Sequence, residues 1–93
     1  MYIHRSRKFQ IRLLKILKYI AKEKVLASKK FQQDLDKLIN NLPYFPFKYK
    51  KSYYFDDENI RDMTFKKYTI IYEVNLNENK IEIMDIFNRN KPL

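Results

Sequence analysis

The 93-residue sequence contains no cysteine, no glycine and no tryptophan, and it has a single histidine. Without cysteine, the chain has neither a disulfide scaffold nor a thiolate that could bind a metal or act as a nucleophile. Without glycine, it cannot form the phosphate-binding loops in which the backbone closely approaches a nucleotide. The lone His4 excludes multi-histidine metal sites and leaves serine triads unsupported. We therefore predict no metal site and no cofactor.

Positive charge is what the sequence has in excess, with a formal net charge of +9. Residues 1–51 contain fourteen Lys and Arg against three acids, a balance of +11, whereas residues 52–93 contain six against eight, a balance of −2. The first half could present a positive field to nucleic acid, an acidic protein or an anionic lipid surface. A solvated, lysine-rich surface that favours solubility explains the same counts.

Length and hydrophobicity indicate one small folded domain over residues 1–93. Hydrophobic residues make up 45% and aromatic residues 16% of the chain, which is too much for a disordered tail. Basic residues interrupt the apolar positions of residues 1–20, so we find neither a signal-peptide core nor an apolar run that could cross a bilayer. We expect a cytoplasmic protein with no membrane partner.

Apolar periodicity predicts a helical hairpin in the first half of the chain. A weak strand signal at residues 2–4 is followed by an apolar stripe of helical period, for which Ser6 is the N-cap. A second helical stripe covers residues 25–41 and ends before Pro43, since the residue preceding a proline is pushed out of the helical region. The short break between the stripes predicts that the two helices are antiparallel.

The second half of the chain is rich in the aromatic and β-branched residues that favour strands. It predicts strands at residues 60–65, 68–74 and 80–87, partly extended chain at 47–55, an asparagine-rich turn at 75–79 and a polar tail at 88–93. The predicted fold is α+β: an N-terminal short strand and an antiparallel helical hairpin packed on a curved antiparallel sheet of three to four strands. Because the central strands are apolar on both faces, a partner or the curvature of the sheet should cover the second face.

Arginine and lysine side chains of the predicted sheet are the candidates for anion binding. Arg61 shares a strand face with Met63 and Phe65, so its guanidinium should emerge from an apolar surface. There it either binds phosphate or pairs with an acid of the last strand, such as Glu82 or Asp85. Arg89 follows the last strand and is a second candidate. The lysines that add anion- or target-binding charge are Lys50, Lys51, Lys66 and Lys67.

Residues 47–55 interleave lysines with tyrosines, which offers phosphate contacts beside aromatic stacking faces. The same pattern is typical of an edge strand whose aromatic residues pack inward and whose lysines prevent aggregation. The acids at 56–58 lie in a turn without the apolar surroundings that would raise a carboxyl pKa for catalysis. His4 is either a general base or simply an exposed residue near the N-terminus.

Over nearly its whole length the sequence resembles the RelE/ParE superfamily of bacterial type II toxins. The segments that carry the resemblance are the helical hairpin with its Leu42-Pro43 end, Ile60-Arg61-Asp62-Met63, Tyr68-Thr69-Ile70-Ile71-Tyr72 and residues 80–89. The resemblance implies a small basic protein that a cognate antitoxin binds and neutralises. RelE-like members cut mRNA in the ribosome as metal-independent endoribonucleases, using basic and polar residues of the concave sheet face. ParE-like members act on DNA gyrase.

Two departures from the RelE-like pattern leave the target open. The arginine that these nucleases place after the strand tyrosine would fall at Thr69, whereas Arg89 approximately matches their arginine at the end of the last strand. No tyrosine or histidine follows Phe87. We therefore expect growth inhibition through gyrase or through ribosome-dependent mRNA cleavage, with Arg61 and Arg89 as catalytic candidates in the second case. The alternative is a degenerate toxin acting as a non-catalytic nucleic-acid-binding or interaction module.

Overall fold

The structure, a computed structural model, describes residues 1–90. Its elements follow in the order β1 (Tyr2–Arg5), α1 (Arg7–Glu23), α2 (Val25–Asn41), a 3-10 helix (Leu42–Tyr44), β2 (Lys50–Lys51), β3 (Ile60–Phe65), β4 (Tyr68–Asn75) and β5 (Lys80–Asn88). The predicted α+β architecture, with its N-terminal strand and helical hairpin, is confirmed. Of the polar tail predicted at 88–93, residues 91–93 lie outside the described part of the chain.

The helical hairpin begins and ends where local sequence signals predict. The Ser6 hydroxyl accepts a hydrogen bond from the Phe9 N–H at 3.1 Å and donates one to the Met84 carbonyl at 2.8 Å. Ser6 therefore caps α1 and at the same time fastens its start to β5. Only Lys24 separates α1 from α2, and α2 passes into the 3-10 helix that contains Pro43.

The strands form one five-stranded sheet in the order β1-β5-β4-β3-β2. The four later strands pair antiparallel, as predicted, whereas β1 pairs parallel with β5, which makes the sheet mixed. The pairing register shifts between Ile71 and Tyr72, which leaves Met84 of β5 as an extra residue. Lys66 and Asn79 provide the left-handed backbone positions of the two hairpin turns, with φ of 55° and 54°.

The main core lies between the helical hairpin and one face of the sheet. Phe31 of α2 packs edge to face against Phe65 and Tyr68 at ring-centroid distances of 5.0 and 5.5 Å. The buried residues of this core are Phe9, Leu13, Phe31, Leu35, Ile39, Leu42, Met63, Tyr68, Ile70, Tyr72, Val74, Ile81, Ile83 and Ile86.

The other face, called here the second face, carries a smaller apolar cluster of Ile60, Ile71 and Phe87, with Met84 packed against it. The chain after β2 folds back over this face, and the ring of Tyr54 packs edge to face on Phe87 at 5.1 Å. A segment of the same chain therefore provides cover that the sequence analysis had assigned to a partner or to sheet curvature.

Within residues 1–90, no helix combines the length and the apolar character that crossing a bilayer requires.

Candidate functional site

The structure separates the predicted anion-binding residues into two groups at opposite ends of β3. Lys50 and Lys51 pair with Asp62 and Arg61 at its start. The second group, at the turn after Phe65, consists of Lys66, Lys67 and Arg89. At about 3.3 Å per residue, the ends of a six-residue strand are roughly 16 Å apart. The two groups are therefore separate surfaces, and Arg61 does not act at the same point as Arg89.

The guanidinium of Arg61 is turned toward its own protein. Its Nε donates to the Glu58 carbonyl at 2.9 Å, and its Nη1 donates to the Tyr49 carbonyl at 3.0 Å. Its Cζ lies 4.9 Å from the centre of the Phe47 ring, and its Nη2 lies 3.8 Å from the Glu58 carboxylate. With the side chain 17% exposed, this geometry holds the chain between Phe47 and Glu58 in place. A catalytic role for Arg61 stays a prediction.

The acid that pairs with Arg61 is therefore Glu58, and the acids of the last strand have other partners. Asp85 is buried and accepts hydrogen bonds from Arg12 at 3.1 Å and from the Ile86 N–H at 2.8 Å. Lys8 lies 3.4 Å from the same carboxylate. Periodicity places Lys8 and Arg12 on the outward side of α1, but residue spacing alone does not reveal an acid that lies 77 positions from Lys8 and 73 from Arg12.

The two lysines of β2 differ in their partners. Lys51 lies 3.2 Å from the carboxylate of Asp56 and 3.6 Å from that of Glu58. The hydrogen bond to Asp56, aided by the charge of Glu58, raises the pKa of the Lys51 ammonium. Lys50 is exposed and, within residues 1–90, has no carboxylate at salt-bridge distance. Lys50 is thus the β2 lysine that remains available to a ligand.

Lys66, Lys67 and Arg89 form a compact cluster of positive charge, called here the turn cluster. The Arg89 N–H donates to the Lys67 carbonyl at 2.8 Å, and the Arg89 guanidinium donates to the Lys66 carbonyl. The Lys66 ammonium lies 5.9 Å from the ring centre of Phe31 and 5.7 Å from that of Phe65. In the part of the chain that the structure describes, no acid pairs with these cations, so the cluster keeps its full charge.

The second face carries acids among its apolar residues. Glu73 of β4 is the cross-strand neighbour of Glu82 on β5 and of Ile60 on β3. Asp62 of β3 is the cross-strand neighbour of Ile71 on β4. One Asp62 oxygen accepts the Tyr53 N–H at 2.9 Å; the other is buried without a hydrogen-bond partner among residues 1–90.

Two further residues of the second face bear on its chemistry. Thr69, where the resemblance places an arginine in RelE-like nucleases, is buried in the row that also contains Phe87. His4, at the β1 edge, has its Nδ1 2.8 Å from the Glu82 carboxylate. No three His, Asp or Glu side chains of the described chain meet as metal ligands would. The face therefore offers apolar surface with the carboxylates of Glu73 and Glu82, which disfavour phosphate, and the Lys80 ammonium lies 3.6 Å from the Glu82 carboxylate.

The segment from the end of α2 to the chain after β2, residues 44–55, is called here the aromatic loop. It exposes Tyr44 at 75%, Phe45 at 72% and Tyr53 at 86% of their surfaces, and exposes Phe47, Tyr54 and Phe55 in part. The mixture of aromatic and basic residues from 47 onward predicts part of this surface, but it does not include Tyr44 and Phe45. Their position beside Pro43 and Pro46, where a helix must stop, is the signal that could have found them.

Side chains of the sheet hold the backbone of the aromatic loop through hydrogen bonds. The buried Tyr72 hydroxyl donates to the Pro46 carbonyl at 2.7 Å, next to the Arg61 bond to the Tyr49 carbonyl. Burial raises the pKa of Tyr72 to about 12, against a smaller opposing effect of the Arg61 charge. The neutral phenol therefore remains the hydrogen-bond donor at all physiological pH values.

A helical hairpin on one face of a mixed sheet, with short parallel pairing of the first and last strands, defines a small α+β protein of the RelE/ParE type. A family model described as the ParE toxin of the type II toxin-antitoxin system parDE matches residues 3–92. The chain belongs to this family, and it is therefore the toxin of a toxin-antitoxin pair with an antitoxin as its partner. No curated protein matches the chain at a significant level.

Proposed function

We propose that this toxin arrests growth by inhibiting DNA gyrase and that it does not cleave mRNA. The observation that carries the proposal is the composition of the second face. RelE-like cleavage would need arginines and lysines there to stabilise the charge that develops on a phosphate. This face instead presents an apolar cluster with Glu73 and Glu82 beside it. Lys80 lies 3.6 Å from the Glu82 carboxylate, and both Asp62 and Thr69 are buried. Both candidate targets are cytoplasmic, so the proposal includes a cytoplasmic location.

Charge and access support the same conclusion. Carboxylates beside a scissile phosphate would raise the energy of its dianionic transition state. The Tyr54 ring on Phe87 also covers part of the surface on which an mRNA codon would have to lie. Residues 3–92 match the ParE toxin family, and the resemblance described above implies gyrase as the target of ParE-like members, which supports the proposal.

The test compares the two activities of one purified preparation. We expect the protein to inhibit supercoiling of relaxed plasmid by gyrase and to leave mRNA intact in a translating extract. Addition of the antitoxin encoded beside it should restore supercoiling. Cleavage of mRNA within ribosomes, with gyrase unaffected, would overturn the proposal.

Ribosome-dependent cleavage remains the second candidate because of the turn cluster. Arg89 lies with Lys66 and Lys67, and within residues 1–90 no carboxylate is at salt-bridge distance from these three predicted site residues. If the protein cleaves mRNA, Arg89→Ala should reduce the cleavage rate by about a hundredfold or more. Lys15→Gln, which removes a charge from the outward side of α1, is the matched control and should retain activity.

For the resting state, we propose that an acidic amphipathic segment of the antitoxin covers the hairpin. The outer side of the helices exposes the apolar residues Ile11, Leu14, Tyr19, Val25 and Leu26. Of these, Ile11 and Leu14 line a groove of about 590 Å³ that is also bordered by Arg5 and Arg7. Expression of the toxin alone should arrest growth, and co-expression of the antitoxin should restore it. Normal growth at verified toxin levels would contradict an active toxin.

A further inference from the structure

We propose that the aromatic loop, residues 44–55, is a binding surface for single-stranded nucleic acid, with its rings as stacking platforms and Lys48 and Lys50 as phosphate contacts. This inference goes beyond gyrase inhibition and does not depend on it. It starts from the exposure of the loop, since Tyr44, Phe45 and Tyr53 keep about three quarters or more of their surface in solvent. Exposed apolar surface concentrated in one short segment indicates a contact site.

The exposure of these rings is imposed by the fold. Tyr72 and Arg61 hold the carbonyls of Pro46 and Tyr49 from the inside, at 2.7 and 3.0 Å. Farther along, the Tyr53 N–H donates to the buried Asp62 carboxylate at 2.9 Å. With its backbone fixed in this way, the loop cannot turn its exposed rings inward. A preordered aromatic surface loses little conformational entropy when a ligand stacks on it.

The charge of the loop selects the ligand. Residues 44–55 contain three lysines and no acid. Asp56 and Glu58 engage Lys51, but within residues 1–90 no carboxylate lies at salt-bridge distance from Lys48 or Lys50. Single-stranded nucleic acid supplies both of the matching groups, because bases stack on aromatic rings and phosphates pair with lysines. In duplex DNA the bases are already stacked on one another, so these rings would contribute little.

A concave surface adjoins the exposed rings. A pocket of about 290 Å³ lies between the last turn of α2 and the loop, and it is lined by Leu38, Leu42, Tyr44, Phe45, Lys48 and Tyr49. It is mostly apolar, and Lys48 provides its positive charge. These features suit a base inserted beside Phe45 with its phosphate near the ammonium.

The experiment measures fluorescence anisotropy of a labelled oligothymidine of about 12 nucleotides, a length that a small domain can contact. We expect salt-dependent binding, weakened about fivefold or more by each of Phe45→Ala and Tyr53→Ala. Both side chains are exposed and donate no hydrogen bond, so these variants should fold, which circular dichroism verifies. Leu26→Ala, an equally exposed apolar residue at the tip of the hairpin, is the matched control and should bind normally.

A second pair of variants separates the loop from general positive charge. One double variant combines Lys48→Gln with Lys50→Gln, on the loop, and the other combines Lys15→Gln with Lys18→Gln, on α1. Both lower the net charge by the same amount. We expect the loop pair to weaken binding at least several-fold more than the helix pair.

Three results would overturn the proposal. The first is that the loop and helix double variants weaken oligonucleotide binding equally. The second is that a duplex binds as tightly as the single strand, and the third is that no binding is detected at low salt. Loop variants that bind oligonucleotide normally but lose gyrase inhibition or the antitoxin complex would assign the loop to a protein partner instead. Since gyrase inhibition is measured separately, the proposed function can fail or stand independently of this result.

Discussion

At the scale of single residues, Tyr72 and Arg61 show how a pair of strand residues can fix the position of a loop. The two residues are cross-strand neighbours, and both side chains end on backbone carbonyls of the aromatic loop. Burial raises the pKa of Tyr72 to about 12, from an ordinary value of 10.0. Folding therefore favours the protonated phenol and is linked to pH in the alkaline range.

The pH prediction follows from that direction of shift. The protonated Tyr72 phenol contributes its full share to the free energy of unfolding below about pH 10. This contribution is lost as the pH rises toward 12, because the Tyr72 phenol of the unfolded chain releases its proton at a lower pH than that of the folded protein. Tyr72→Phe should cost about 1 kcal/mol at neutral pH through the lost hydrogen bond and should weaken the alkaline dependence. Burial also raises the pKa of Tyr68, so some dependence should remain.

The measurement is urea unfolding between neutral pH and about pH 11, a range in which tyrosine phenols titrate. Tyr44→Phe, which changes an exposed tyrosine, is the matched control and should reproduce the profile of the parent protein. An unchanged alkaline profile in Tyr72→Phe would show that Tyr72 is not the linked group.

At the scale of elements, the charges in the first turn of α1 are unfavourable for the helix dipole. Its first turn contains no acid, and Arg7 and Lys8 place positive charge at the positive end of the helix dipole. Asp85 of β5 supplies the missing negative charge, since its carboxylate contacts Lys8 and Arg12 and lies buried against the helix. Together with the Ser6 cap, this ion pair sets how α1 lies along the edge of the sheet.

Removal of that charge should therefore loosen α1 from β5. We expect Asp85→Asn to lower the free energy of unfolding by about 1–3 kcal/mol, since it leaves two cations without their buried partner. Asp36→Asn breaks a more exposed pair with Arg5 and should cost less than about 1 kcal/mol. Chemical denaturation of both variants provides the comparison, and equal costs would contradict a special role for Asp85.

At the scale of the whole molecule, charge is polarised. The helices and the aromatic loop carry most of the cations, whereas the second face presents Glu73 and Glu82, with Lys80 paired to Glu82. Such a distribution steers an acidic partner toward the hairpin and away from the second face. The net charge of +9 thus acts mainly on the rate and orientation of association.

The antitoxin should consequently associate at a rate that depends strongly on salt. Between roughly 50 and 500 mM salt, we expect the association rate constant to fall about tenfold or more while the dissociation rate changes much less. Lys15→Gln with Lys18→Gln should slow association at low salt, and surface plasmon resonance measures both rates. A salt effect confined to dissociation would show that steering does not govern the encounter.

The element order was predictable because it depends on local signals. The helical stripes, the Ser6 cap and the proline stop each involve residues within a few positions of one another, and the structure confirms them. The site was less predictable. The strand pattern predicts that Arg61 either binds an anion or pairs with an acid of the last strand, but its guanidinium contacts the carbonyls of Glu58 and Tyr49, which periodicity cannot place beside it.

The sequence by itself determined which chemistries are excluded, which segments are helix or strand, and which family the chain resembles. These follow from composition and short-range spacing, which need no knowledge of the fold. Only the tertiary structure decided that Asp85 forms an ion pair with α1 and that Tyr54 covers Phe87. It also decided that Tyr44 and Phe45 remain exposed to solvent. The physical reason is that these contacts join residues up to 77 positions apart, as Lys8 and Asp85 are, and only the packing of the sheet and helices brings such residues together.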